Sequence, residues 1–264
     1  MRKSRAFTLI ELLVVVAIIA TLIAVLLPSL SMAKRRSLTA KCLANMRNLG
    51  IASQTYLVEW NNYLVDVGYA HGSGVGLDPK ASWIETLESV YGYELACKSP
   101  VDDSPYWPSE LGGESLRLPN RGPDDYPYRR SSYGLNNLLT RAAAPFNPAT
   151  NRKYDYGRME RIPWPALTVH IVYMAEEGDF AGADHTHVET WQFMDFWQIV
   201  PENAAKELEL NVHGGPPKSF ESVSNYGFLD GHVETLPFGD VWKKKDHNRF
   251  WPEAVYGLEP EPAP

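Results

Sequence analysis

Apolar positions run unbroken from Phe7 to Leu27, a stretch of 21 residues in which Glu11 is the only charged side chain. About 20 apolar residues at ~1.5 Å rise cross a hydrocarbon core of ~30 Å. Beyond Pro28 the pattern changes. Leu38, Cys42, Met46, Leu49, Ser53, Tyr56 and Trp60 recur at steps of three and four, which predicts an amphipathic helix with one stripe packed on a head. The two halves read as one helix from Phe7 to about Asn61, kinked at Pro28, where a backbone donor is missing. The pair Asn61-Asn62 is a natural stop.

From Tyr63 to Arg161 the chain is irregular and rich in Pro, Gly, Tyr and Asp, with a short helix predicted over Trp83–Tyr91. Strand patterns return at Ala166–Met174 and, in aromatic form, at Thr190–Val200. Tyr226–Leu229 and His232–Leu236 flank Asp230-Gly231 and predict a β-hairpin with a two-residue turn. The Pro- and Glu-rich end after Gly257 is expected to be disordered. The fold class is therefore α+β: a long N-terminal helix, half membrane and half amphipathic, on a small antiparallel sheet with long loops.

Charge sharpens this division. The chain has 264 residues and a net charge of −7; residues 1–36 hold six Lys/Arg against Glu11, a net of +5, so the remainder carries −12. An acidic head without a basic stripe argues against nucleic acid as a main partner. Glu11 is the anomaly, because a carboxylate within a span costs about 2.5–3.5 kcal/mol and is usually kept for function. A cleaved secretory signal has an apolar middle of about 7–15 residues, shorter than this run. A plain membrane anchor fits the length but leaves Glu11 unexplained. Basic residues flank both ends of the span (Arg2, Lys3 and Arg5; Lys34, Arg35, Arg36 and Lys41), so charge alone does not orient it.

Ala6-Phe7-Thr8-Leu9-Ile10-Glu11-Leu12 closely resembles the leader of type IV pilins and type II secretion pseudopilins, in which Gly usually stands where this chain has Ala6. The resemblance is dense over residues 3–28. It implies cleavage by a prepilin peptidase between Ala6 and Phe7, methylation of the new amine, and a leader left in the cytoplasm with the head outside the inner membrane. It also implies filament assembly with other pilin or pseudopilin subunits, in which Glu11 meets the terminal amine of a neighbour. Both groups are desolvated there, so pairing selects the axial stagger. The segments become a leader (1–6), a transmembrane and assembly helix (7–28), an amphipathic stem (29–62), a head (63–257) and a tail (258–264).

The head resembles a prepilin subfamily with a processing-associated C-terminal motif, His, nine residues, then Asp-Gly. The matching stretches are Cys42–Gly50, Ser132-Tyr133-Gly134-Leu135-Asn136, His213-Gly214-Gly215 and Phe228–Val233. Sixteen residues separate His213 from Asp230-Gly231, which reads as a seven-residue insertion around Pro216–Ser219. Cys97-Lys98-Ser99-Pro100 also departs from the usual Cys-Pro.

Candidate chemistry is sparse. In an exported head, Cys42 and Cys97 are expected to form a disulfide closing about 55 residues, worth nominally ~4 kcal/mol, with two unpaired thiols as the alternative. His213, Asp230 and His232 could form a metal or substrate site, against the plainer reading that Asp230-Gly231 makes a turn and His213 bonds a loop. Asp184, His185 and His187 contain a His-x-His that could supply two zinc ligands, against a polar loop. Calcium, which takes 6–8 oxygens, could draw on Asp179, Asp184 and Asp195, though no ligand spacing stands out. Otherwise no cofactor is expected. No nucleophile triad, phosphate loop or acid/base pair is recognisable, so the chain reads as a non-enzymatic structural subunit. The alternatives are a membrane-tethered module whose head recognises a ligand or cargo, its eight Trp and fourteen Tyr suiting such contact, and an exported hydrolase borrowing a pilin leader.

Overall fold

The computed structural model describes residues 9–68, 82–91, 96–119, 126–147, 152–192 and 196–257. The chain divides into two compact units, residues 1–40 and residues 41–264. The expected leader and tail lie outside the described residues.

The first unit contains the start of helix α1, which runs from Leu9 to Glu59 and continues through Pro28. Every side chain from Leu9 to Ser37 is exposed. Several of its hydroxyls bond back within the helix: Thr21 Oγ1 donates to the Ala17 carbonyl at 2.8 Å, Ser29 Oγ to that of Leu26 at 2.8 Å and Thr39 Oγ1 to that of Arg35 at 3.1 Å. A bare apolar helix of this kind has no stable place in water.

In the second unit the same helix becomes one-sided. Cys42, Met46, Leu49, Ser53 and Tyr56 are buried, as the periodicity predicts, together with Asn45, Ala52 and Leu57. Trp60 departs from the expected stripe; it is more than half exposed and stacks on Tyr56 with ring centroids 5.4 Å apart. The helix stops where Asn61 (φ 50°) and Asn62 (φ 61°) turn left-handed, and the Asn62 amide returns to the Leu57 carbonyl at 2.9 Å.

Helix α2 spans Trp83–Tyr91, as predicted. The strands are β1 (Tyr133–Leu135), β2 (Phe146–Asn147), β3 (Arg152–Lys153), β4 (Val169–Tyr173), β5 (Val223–Phe228), β6 (Val233–Pro237), β7 (Trp242–Lys244) and β8 (His247–Asn248). The main sheet is antiparallel in the order β1-β4-β5-β6, while β2-β3 and β7-β8 form separate pairs. The fold is thus α+β, a long N-terminal helix and a small antiparallel sheet.

Central strand β4 is buried along its whole length, which explains its continuous apolar run. An irregularity between Val169 and Ile171 shifts its register. Val172 and Met174 join Val169 in a core with Trp191, Tyr226, Phe228, Trp242 and Phe250, whereas Ile171 and Tyr173 join the core containing Met46, Leu49, Ala52 and Tyr56. A one-residue bulge exchanges the faces of a strand. One face of the sheet therefore packs on the stem helix and the other on an aromatic layer.

That aromatic layer corrects one expectation. Thr190–Val200 is not a strand: it holds the 3-10 turns Val188–Thr190 and Trp197–Ile199 and leads into helix α3, Val200–Ala204, with residues 193–195 outside the described set. Pro201 cannot donate to a ladder, and of the described aromatics here Trp191 is buried in the core while Phe196 and Trp197 are exposed, which is not the alternation of a pleated face. A short helix α4, Phe238–Val241, then joins β6 to β7.

Candidate assembly segment and head sites

Glu11 lies in the first described turn of α1, among exposed Leu, Ile and Val side chains. Ala6 and Phe7, the expected cleavage pair, lie outside the described residues. The helix is long and apolar enough to cross a membrane by length and composition.

Within the second unit, sequence stretches far apart meet on the inner face of the stem helix. Arg47 Nη1 donates to the Gly231 carbonyl, and Gln54 Nε2 donates to the Leu229 carbonyl. Between them Gly50 lies so close that a Cβ there would stand 3.0 Å from the Gly231 oxygen. One turn earlier Cys42 Sγ lies 3.1 Å from Ser99 Oγ, and Asn45 Nδ2 donates to the Lys98 carbonyl at 3.3 Å. The stem motif Cys42–Gly50 thus grips the loop after Cys97 and the β5-β6 turn.

The hairpin forms where the sequence predicts it, but with a three-residue loop rather than two. Gly227 pairs with Val233, the Phe228 amide meets the His232 carbonyl, and the Gly231 amide returns to the Phe228 carbonyl at 2.9 Å. This is a type I turn closed by a left-handed residue, Gly231 at φ +89°. Asp230 Oδ1 accepts from the His232 amide at 3.0 Å and lies 2.6 Å from His232 Nδ1.

His213 is not brought to this turn. Its amide donates to the Val223 carbonyl at the opposite end of β5, seven residues or ~23 Å from Asp230 along the strand. Burial holds its imidazole at about 4, so it is neutral. Gly214 bridges to Val223, so residues 215–222, which contain the expected insertion, leave and return at one point. His213, Asp230 and His232 therefore do not form one site.

Asp184, His185 and His187 are buried or half-buried rather than displayed on an exposed loop. Asp184 uses one carboxylate oxygen on His185 Nδ1 at 2.7 Å and the other on the Gly68 amide at 3.0 Å. Burial and the nearby His185 push His187 down to about 4, while its backbone amide donates to Glu207 at 2.6 Å. Burial raises Glu207 to about 7. Among the described residues no three His, Cys, Asp or Glu side chains are disposed to hold a metal ion. Asp195 lies outside the described set.

The disulfide expected between Cys42 and Cys97 is not formed. Both sulfurs are buried; Cys42 faces Ser99 Oγ instead, and burial raises its thiol pKa.

Sequence reasoning missed the most buried charge pair among the described residues. Arg129 and Asp102 are fully buried, with Nε to Oδ2 at 2.9 Å. Arg129 also donates to the carbonyls of Met174, Ala175 and Ala181, and Asp102 accepts from Ser132 Oγ at 2.6 Å and the Ser104 amide at 3.0 Å. The cluster ties the 97–132 loops to the end of β4. Glu176 lies beside it, raised to about 7 first by burial and then by the Asp102 charge. The Asx-type pattern Asp102-x-Ser104 is the only local sign of it in the sequence.

Residues 1–27 match the family model of the prokaryotic N-terminal methylation motif. The N-terminal segment thus carries a prokaryotic N-terminal methylation motif. The chain is also similar to the type IV wide pilus major component PilA4 of Thermus thermophilus, 41% identical over 63 residues. That match covers 24% of this chain and 48% of the relative, so the chain spans about half the relative's length. No solved structure matches the chain.

Proposed function

We propose that this chain is a non-enzymatic structural subunit of a type IV pilus-like filament or a secretion pseudopilus. The observation that carries the reading is the exposed helix from Leu9: among the described residues its apolar side chains are uncovered, it carries one carboxylate, and it overlaps the methylation motif. In this reading prepilin peptidase cuts between Ala6 and Phe7 and methylates the Phe7 amine. The helix spans the inner membrane, with the leader cytoplasmic and the head outside. Neighbouring subunits then stack their helices, and each Glu11 carboxylate meets the Phe7 amine of the next. Two desolvated charges are costly apart, so the pair fixes the stagger.

The subfamily with the C-terminal Asp-Gly motif belongs to the same reading. Its support is that the stem motif and the Asp230-Gly231 turn hold one another.

The test is Glu11→Ala, compared with the parent chain by crosslinking in membranes. The expected result is unchanged membrane retention with loss of self-crosslinks along residues 7–35. Unaltered crosslink ladders would overturn the pairing role. Mass spectrometry of the extracted chain should show a methylated Phe7 terminus, and an intact Met1 or Arg2 terminus would overturn processing.

A further inference from the structure

On the head, the turn Trp197–Ile199, the loop at Phe220 and the β7-β8 hairpin enclose a groove of about 540 Å³. Trp197, Phe220 and Trp242 form its walls, and Lys243, Lys244 and His247 its rim. Trp197 is 45% exposed and the adjoining Phe196 58% exposed, so large flat rings face solvent.

The platform is braced by ring packing. Trp197 packs on Phe220 with centroids 5.7 Å apart, Phe220 stacks on Phe238 at 6.1 Å, and Phe238 meets the buried Trp191 at 6.3 Å. The Gly239 amide donates to the Phe220 carbonyl at 2.7 Å, which pins the loop. A surface ordered beforehand loses little entropy on binding.

The rim is cationic on a chain whose net charge is −7. Lys244 pairs with Asp246 at 3.2 Å, but both are well exposed, and such a pair exchanges readily for another anion. Lys245 leans over the Trp251 ring at 6.0 Å. Lys243 enters no ion pair among the described residues and stands at the groove.

An exposed ring selects a ligand with a flat face of C–H groups, and the lysines select negative charge. A sugar ring bearing a carboxylate offers both at one residue's spacing, whereas an acidic peptide offers charge without a rigid face. We propose that this groove binds an acidic oligosaccharide, one ring lying on Trp197 and a carboxylate reaching Lys243. The head would thereby attach the subunit to an anionic glycan. This goes beyond the assembly reading, which rests on a different unit of the chain, so either can fail alone.

The experiment is titration of the full-length chain in detergent micelles with a hexamer of galacturonic acid, read by tryptophan fluorescence and calorimetry. Its methyl-esterified form and hexaglutamate serve as controls. Saturable binding is expected, weakened at least tenfold by Trp197→Ala and severalfold by Lys243→Gln, with less salt dependence in the lysine variant. The ester should bind at least tenfold more weakly, and hexaglutamate should not compete. Unchanged circular dichroism checks the fold of each variant, and Trp197→Leu replaces any variant that fails. No binding at millimolar ligand, equal binding by the Trp197 variant, or equal binding of the ester or hexaglutamate would overturn the proposal.

Discussion

Arg47 on the stem helix donates a hydrogen bond to the carbonyl oxygen of Gly231, 184 residues further along the chain. The contact is close because Gly50, one turn on, has no side chain to hold the hairpin away. Gly50→Val would place its side chain against the Gly231 backbone, which cannot rotate aside as a side chain can. A loss of about 1–3 kcal/mol is expected from such overpacking. Gly231→Ala should cost about 1–2 kcal/mol through its left-handed backbone alone. Thermal unfolding of the two variants and of the double mutant checks both, and the double should fall short of the sum because the sites touch.

Arg129 is held by one carboxylate and three carbonyls. Replacing it with Met leaves Asp102 charged and buried, a loss of about 3–5 kcal/mol. Chemical denaturation should show it as a lowered midpoint. Asp102→Asn should shift the midpoint in the same direction, because Arg129 is then the uncompensated charge.

The thiols make a direct prediction. The structure leaves Cys42 and Cys97 unbridged, so denaturation without reductant should allow two maleimide labels per chain, counted by mass spectrometry. Reductant should leave the melting temperature unchanged.

Glu207 titrates at about 7 in the fold against 4.5 ordinarily. A carboxylate raised by folding contributes stability that is complete below 4.5 and is lost as pH rises through 7. Glu207→Gln keeps an acceptor for the His187 amide but cannot ionise. The variant should therefore gain on the parent as pH rises from 4.5 to 8, and the gap should close again on acidification. His170, His187 and His213, each lowered to about 4 from 6.5, act in the opposite sense, losing stability as pH falls from 6.5 through 4. Melting curves of parent and variant across that range isolate the Glu207 contribution, since the histidines are common to both.

The sequence by itself determined what local rules can express. A continuous apolar run with one carboxylate defines the span, three- and four-residue spacing defines the stem's buried stripe, and paired asparagines define its end. A buried strand and an Asp-Gly turn are legible because each depends on near neighbours. The tertiary structure alone decided what those pieces meet. The aromatic run at Thr190–Val200 has the composition of a strand, yet in the head Trp191 enters the core and Trp197 lies on a turn, so its described residues form turns and the start of a helix. His213 and Asp230 share a motif in the sequence, yet an intervening strand holds them apart. Asp102 and Arg129 look unrelated, because a buried charge pair is chosen by loops converging in space rather than by any spacing along the chain. The span follows from transfer energy summed over consecutive residues; the head depends on contacts between distant ones.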